Sequence, residues 1–178
     1  LTSPENKFLT PDGYAGATSY GCTSDLAMTR ECLIDAAKAA EALGTDKTFR
    51  KQIEKTLPRL LPYQVGKKGN LQEWFHDWED QEPQHRHQSH LFGLYPGHHL
   101  SVKETPELAK ACARTLEIKG DNTTGWSTGW RVNLYARLQD SKNAYHIYRR
   151  LLRYVSPDGY KGKDARRGGG TYPNLLDA

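Results

Sequence analysis

Residues 70–97 gather two Trp, four His, one Arg and several carboxylates into fewer than thirty positions, a mixture no ordinary solvated surface needs. Trp74 and Trp78 are four apart, so a helical turn there stacks both rings on one face with Glu73 and Asp77 beside them. His85, Arg86, His87 and His90 follow a polar turn at Pro83. Indole plates next to imidazoles, a guanidinium and carboxylates suit a sugar ring: the plate covers its apolar CH face and the polar groups take its hydroxyls. Two plainer readings compete. Metal binding by His85, His87 and His90 is one, although neither spacing is the helical i, i+4 and no Cys joins them. The other is a core in which Trp and His merely bridge helices.

The elements that must position these groups read as helices. Thr23 or Ser24 can cap a helix whose Leu26, Thr29, Leu33, Ala37, Ala40 and Leu43 recur every three to four residues up to Gly44. Thr45 is placed to cap a second, carried by Phe49, Ile53, Leu57 and Leu60 and broken near Leu57 by Pro58. Leu91 to Leu94 fits a short helix stopped by Pro96-Gly97. Thr105-Pro106-Glu107 opens another that ends at Gly120, with Leu108, Ala111, Cys112, Thr115 and Leu116 as its buried stripe. Gly125 starts a helix with Trp126, Trp130, Leu134 and Leu138 along one side. Ser141 caps the last, buried through Ala144, Ile147, Tyr148, Leu151, Leu152 and Val155 and closed by a turn at residues 156–159. Residues 1–21 read as loop with at most short extended pieces, and Gly168, Gly169 and Gly170 as a loop without the sequel of a phosphate-binding motif.

The fold class is therefore all-α with no β-rich segment. Terse turns at Gly44-Thr45 and Asp140-Ser141 alternate with long loops rich in Trp, His, Arg and Gly. That asymmetry predicts a toroid of helical hairpins, one rim holding the short connections and the other the cleft; a repeat solenoid is the alternative, and no internal period supports it.

Hydrophobic residues make up only 37% of the chain, so ten Tyr and four Trp must supply core bulk, and their polar tips need partners near a surface or pocket. The net charge of +4 sits in basic clusters at residues 47–68, 149–153 and 161–167, beside predicted helices; solvated faces explain them, and no aromatic-basic module argues for nucleic acid. No apolar run is long enough to span a membrane. Cys22, Cys32 and Cys112 show neither CxxC nor paired spacing, so two of them are expected as small buried hydrophobes on helical faces. The chain opens on Leu1 rather than Met and is expected to be a piece of a longer polypeptide.

Four ordered motifs together resemble glycoside hydrolase family 95. They are Ser3-Pro4-Glu5-Asn6; Gly69 to Trp74 with Asp77; His85-Arg86-His87-Gln88-Ser89-His90 continuing to Gly97; and Gly125-Trp126-Ser127 through Trp130-Arg131 with Ala136-Arg137-Leu138. The resemblance runs from end to end. It implies part of an (α/α)6 barrel, about its second half, of an exo-acting, inverting α-L-fucosidase that cuts terminal, notably α-1,2-linked, fucose, or of an α-L-galactosidase. It implies Glu5 as the proton donor, Arg86 and His87 as binders of the sugar hydroxyls, Trp74, His90, Trp126 and Trp130 as pocket lining, and Asp77 as their orienter. Arg137 is expected to be a buried structural Arg paired to a carboxylate. The family's water-activating Asn pair and Asp would fall before residue 1 and after Ala178, so the fragment alone is expected to be inactive. The implied partners are a fucosylated glycan and the remainder of the same catalytic domain, with no cofactor, metal, nucleic acid or membrane. Self-association through exposed apolar stripes is a further expectation, as is a periplasmic or secreted location. A carbohydrate-binding helical domain without turnover remains the alternative from a different class.

Overall fold

Helices form nearly where the apolar periodicity puts them, but their ends and partners differ. The computed structural model describes residues 5–155 and 169–178; the turn expected at 156–159, the basic run 161–167, and Ser3, Pro4 and Gly168 lie outside the described residues. The first helix, α1 (Thr23–Leu43), stops where Gly44 takes φ 65° and sends its N–H to the Ala40 and Glu41 carbonyls. Cys22 stands at its N-cap. Thr23 caps nothing: its hydroxyl donates to the Gln72 carbonyl at 2.5 Å and its N–H to the Glu73 carbonyl at 3.0 Å, docking α1 against the aromatic segment. The stripe expected to be buried is only partly covered, with Ala40 inside, Leu26, Leu33 and Ala37 half-buried and Leu43 78% exposed; Ala27, outside that stripe, is buried.

Asp46, at φ 51°, and not Thr45, is the N-cap of α2 (Lys47–Thr56), in which Ile53 is buried and Phe49 exposed. Pro58 ends it in a short 3-10 turn, Leu57–Arg59, as its missing N–H requires. A second 3-10 turn, Ser89–Gly93, occupies the place of the short helix expected at residues 91–94 and packs on α1. Then come α3 (Pro106–Lys119), α4 (Gly125–Arg137) and α5 (Ser141–Leu151), the last folded back along α4. Leu71, Leu91, Leu94, Leu116, Leu134 and Ile147 form the main core between these elements. Cys112 lies in it on α3, where burial pushes its thiol up to about 12, and Cys22 is also buried; Cys32 on α1 is exposed. The last helix buries less than its periodicity suggests, because Tyr148 and Leu152 face outward.

Three two-residue strands, β1 (Phe8–Leu9), β2 (Ala15–Gly16) and β3 (Glu79–Asp80), form an antiparallel sheet ordered β2-β1-β3, with Phe8 opposite both Gly16 and Asp80. Strands this short carry no alternation to read. They nevertheless tie the N-terminal segment to the aromatic one. Trp74 and Trp78 correct the helical-turn expectation, for the chain between them is irregular. Gln72 donates its side-chain N–H to the Trp74 and Phe75 carbonyls at 2.9 and 2.8 Å, occupying acceptors a helix would have used. The two indoles converge on Phe8 instead, Trp74 edge-on at 5.1 Å and Trp78 stacked at 4.4 Å.

At the far end, the Ala178 carbonyl accepts from Gly125 and Gly169, both at 2.6 Å. A Cβ at Gly125 would sit 2.5 Å from that of Asp177, so only glycine admits the 177–178 segment at the start of α4. The described residues thus make an all-α fold of five helices with a few short strands, the arrangement of a partial helical toroid. The N-cap of α5 is Asp140, whose carboxylate accepts from the Asn143 N–H at 3.0 Å, while Ser141 is already helical. Asp140→Ala should therefore cost about 1 kcal/mol in urea unfolding and Ser141→Ala a few tenths at most; the reverse order would return the cap to Ser141.

Candidate active site

Glu5 enters the site because β1 does. Pairing of β1 with β3 is extended by the Gln81 N–H on the Lys7 carbonyl at 2.7 Å, which lays residues 5–7 along the loop that follows β3. There three consecutive side chains meet one carboxylate oxygen. The Arg86 guanidinium pairs with Glu5 Oε2, His87 Nε2 lies 3.4 Å from it and His85 Nε2 3.8 Å. The His87 backbone N–H donates to His85 Nδ1 at 3.1 Å, so the neutral His85 ring carries its proton on Nε2, facing Glu5. Burial, helped by the Arg86 charge, lowers the His85 pKa; burial and then His85 lower that of His87. Both rings are therefore neutral at pH 7, and Arg86 is the cation facing Glu5.

This loop is braced by α4. Ser127, in its first turn, donates to the Arg86 carbonyl at 2.7 Å, and the Ser127 carbonyl accepts from Gln88 at 3.4 Å. Arg131, one turn on and 1% exposed, donates through Nε to Gln88 Oε1 at 3.2 Å and through Nη1 to the Gly120 carbonyl. Trp126 packs 5.6 Å from the His87 ring and remains half exposed; Trp130 lies 6.0 Å further on, its Nε1 on the Tyr95 carbonyl at 2.9 Å. Glu5, Arg86, His87 and Trp126 therefore form one rim, flanked by Trp130.

The other residues singled out from sequence lie elsewhere. Trp74 is buried, with its Nε1 on Asp80 Oδ1 at 3.1 Å. His90 is buried too, its Nδ1 3.3 Å from Glu73, so the three histidines do not converge. Among the described residues no group of His, Cys, Asp and Glu could hold a metal ion. Asp77 holds a turn, accepting from the Lys67 N–H at 2.7 Å. Arg137 corrects its expectation: it is exposed, reaching the Gly97 carbonyl at 3.5 Å and lying 6.0 Å from the centre of the Tyr95 ring, because its end of α4 is already at the surface.

Sequence reading passed over the groups behind the rim. Lys119, at the end of α3, is 2% exposed and 4.0 Å from both Glu73 and Asp80. Burial drives the Glu73 carboxyl up to about 7 against the pull of Lys119, and Asp80 adds to the rise; burial also holds His90 well below its usual range. A helix-end Lys next to Gly120 looks like a solvated cap. Only contact with Glu73, forty-six residues earlier, reveals it as interior.

A carboxylate, guanidinium and imidazoles gathered on the loop rim of a helical layer define a helical domain that carries its chemistry at one edge. Comparison with known proteins then fixes its lineage. The chain belongs to glycosyl hydrolase family 95, whose catalytic-domain model matches residues 1–178. It is 40% identical over 178 residues to alpha-L-fucosidase 2 of Arabidopsis thaliana, covering 99% of this chain and 21% of that protein. It is 32% identical over 161 residues to probable alpha-fucosidase A of Aspergillus oryzae, covering 83% of this chain and 21% of that one. It is likewise 32% identical over 152 residues to probable alpha-fucosidase A of Aspergillus niger, covering 80% of this chain and 18% of that protein. The chain thus spans about a fifth of the length of the curated relatives it matches.

Glu73 offers a test of the buried layer through linkage. Its folded pKa of about 7 lies above the ordinary 4.5, so the folded state binds the extra proton; its contribution is complete below pH 4.5 and is lost as pH rises through 7. Denaturation from pH 4.5 to about 8 should show the parent protein losing on the order of 3 kcal/mol relative to Glu73→Gln. Parallel pH profiles for the two proteins would contradict a raised Glu73.

Proposed function

We propose that this chain is the proton-donating part of an exo-acting, inverting α-L-fucosidase, and that it works only within a longer polypeptide. The observation that carries the reading is the convergence of Arg86, His85 and His87 on the Glu5 carboxylate at the loop rim. Two relatives that share this stretch are named for α-fucosidase activity, and family membership supplies the reaction class. Glu5 delivers its proton to the glycosidic oxygen as the bond from that oxygen to the anomeric carbon breaks. A water adds from the opposite face of the sugar and gives its proton to groups outside residues 1–178. Inversion follows from that single opposed displacement. Arg86 and His87 take the sugar hydroxyls, and Trp126 supplies an apolar plate beside them. Arg86 must exchange Glu5 for substrate before the carboxyl carries the proton it donates.

The exposed apolar face of α5, with Tyr145, Tyr148 and Leu152, supports the longer-polypeptide reading. Together with Val132 and Ala136 of α4, Tyr145 and Tyr148 line an apolar groove of about 410 Å³ that suits a neighbouring helix. In the complete polypeptide, Glu5→Gln should abolish release of fucose from a fucosyl-α-1,2-galactoside while substrate binding stays within a few-fold; unchanged turnover favours a carbohydrate-binding domain instead. Arg86→Ala should lower kcat/KM about 10-fold or more, roughly 1.4 kcal/mol. Residues 1–178 alone should release no fucose.

A further inference from the structure

Arg86, His87 and His85 meet Glu5 at the same oxygen, Oε2, yet their surroundings separate their duties. Arg86 and His87 take the sugar hydroxyls in the reading above. Arg86 in particular must leave Glu5, because a guanidinium against the carboxylate opposes the protonation an acid needs. His87 stands on the sugar's side of the rim, its side chain 20% exposed and its ring 5.6 Å from Trp126. His85 has no such access: its side chain is 5% exposed, and its Nε2 lies 3.8 Å from Glu5 Oε2.

The His85 ring is set before any substrate arrives. Its backbone N–H donates to the Glu82 carbonyl at 2.9 Å, its Nδ1 accepts the His87 N–H at 3.1 Å, and it meets the His87 ring edge-on at 4.7 Å and 87°. With Nδ1 used as an acceptor the one ring proton sits on Nε2, and a second proton would set an Nδ1–H against the His87 N–H. The ring is therefore a fixed neutral donor. Of the charges around it, Arg86 and Lys119 resist that second proton, while Glu82 and Glu5 favour it. The Glu5 side chain, 49% exposed, has room to turn, and about 1 Å of movement brings Oε2 into hydrogen-bond range of Nε2.

We propose that His85 is the positioning residue of the acid: once Arg86 has turned to the sugar, His85 holds Glu5 by Oε2 through its Nε2–H and so places the transferable proton on Oε1. In a carboxylic acid the carbonyl oxygen accepts and the hydroxyl oxygen gives, so the oxygen that takes the imidazole N–H is not the one that delivers the proton. In the step itself the Oε1–H bond breaks as an O–H bond forms on the leaving oxygen, which keeps the electron pair of its broken bond to the anomeric carbon. The charge left on Glu5 spreads over both oxygens and meets the same N–H at Oε2, and solvent returns the proton. His85 itself neither gains nor loses one. The assignment rests on the fucosidase reading for the identity of the reaction, and on the fixed ring for the rest.

The test uses the complete polypeptide and two α-L-fucosides: a fucosyl-α-1,2-galactoside, whose leaving oxygen needs the proton, and a dinitrophenyl fucoside, whose acidic phenol departs without it. His85→Ala should lower kcat/KM on the disaccharide about 30-fold, mainly through kcat, and leave the dinitrophenyl fucoside within about 3-fold. His85→Gln, whose amide carries an N–H near the place of Nε2, should recover most of the loss. Equal losses on both substrates, the mark of a loop that has merely collapsed, overturn the proposal, as do unchanged rates on both. If the parent hydrolyses neither substrate, the fucosidase reading fails, and the contact between His85 and Glu5 is decided by nitrogen NMR of protein carrying isotope-labelled histidine. The same measurement decides it where His85→Ala does not fold. The His85 ring should be neutral with its proton on Nε2, and Glu5→Gln should shift that Nε2 resonance; the other tautomer, or a resonance indifferent to Glu5→Gln, overturns the proposal.

Discussion

Arg131 is the constraint on which the site depends. A guanidinium 1% exposed is costly where its N–H groups go unmatched; Arg131 places Nε and Nη1 on acceptors without a carboxylate, while its Nη2 has no hydrogen-bond partner. It donates to the Gly120 carbonyl at the end of α3, where helix geometry leaves acceptors unsatisfied and the dipole favours a cation, and to the Gln88 side chain. Burial lowers its pKa without discharging it, since an arginine in this range stays protonated. One side chain thus ties the end of α3, the body of α4 and the loop of residues 85–90 into a single unit. Arg86 and His87 inherit their positions from that brace through Gln88 and the Ser127 hydrogen bond.

Behind the brace lies a second buried polar layer made from Glu73, His90, Lys119 and Asp80. Its separations of 3.3 to 4.0 Å give attraction with no direct hydrogen bond on Lys119 Nζ or the Glu73 oxygens. Such a layer contributes little net stability compared with apolar packing, but it punishes any shift that would strand one of its charges. It joins three segments remote in sequence: the aromatic segment through Glu73, the 3-10 turn through His90 and α3 through Lys119. Trp74 joins the same layer through Asp80, so a residue that reads as a sugar plate is buried in the interior.

The legible part of this molecule was its local part. Apolar periodicity located the five helices of the described residues, and Gly44, Pro58 and the Thr105-Pro106-Glu107 start signal set boundaries because each acts within one turn. Caps slipped by one residue at Asp46 and Asp140, since Asp and Thr or Ser adjoin at both places and sequence alone does not say which adopts non-helical dihedrals. Residues 73–78 misled for a different reason. Their i, i+4 Trp spacing is a helical signal, but the competing acceptor use by Gln72 and the pull of Phe8 come from contacts outside the window. The convergence on Glu5 followed from motif resemblance and not from pattern, because a Glu 81 residues from its Arg leaves no periodic trace. Arg131 and Lys119 escaped altogether, as a basic residue on a helix carries the same sequence signal whether solvated or buried.

The charge balance at the rim constrains what the site can accept. With both flanking histidines held neutral by burial, the pairing of Glu5 with Arg86 leaves the immediate rim without net charge, and Trp126 adds an uncharged plate. Among the described residues of the rim, an anionic sugar would have to compete with Glu5 for the one guanidinium, and a cationic one would face Arg86 with no spare carboxylate. A neutral deoxy sugar escapes both conflicts. Its hydroxyls can replace Glu5 on Arg86 through hydrogen bonds alone, and its methyl-bearing face needs only an apolar surface. The carboxyl then keeps its two histidine neighbours, which as neutral rings can hydrogen-bond either of its protonation states. That tolerance is what the role proposed for Glu5, losing a proton and regaining it in each cycle, would demand of its surroundings.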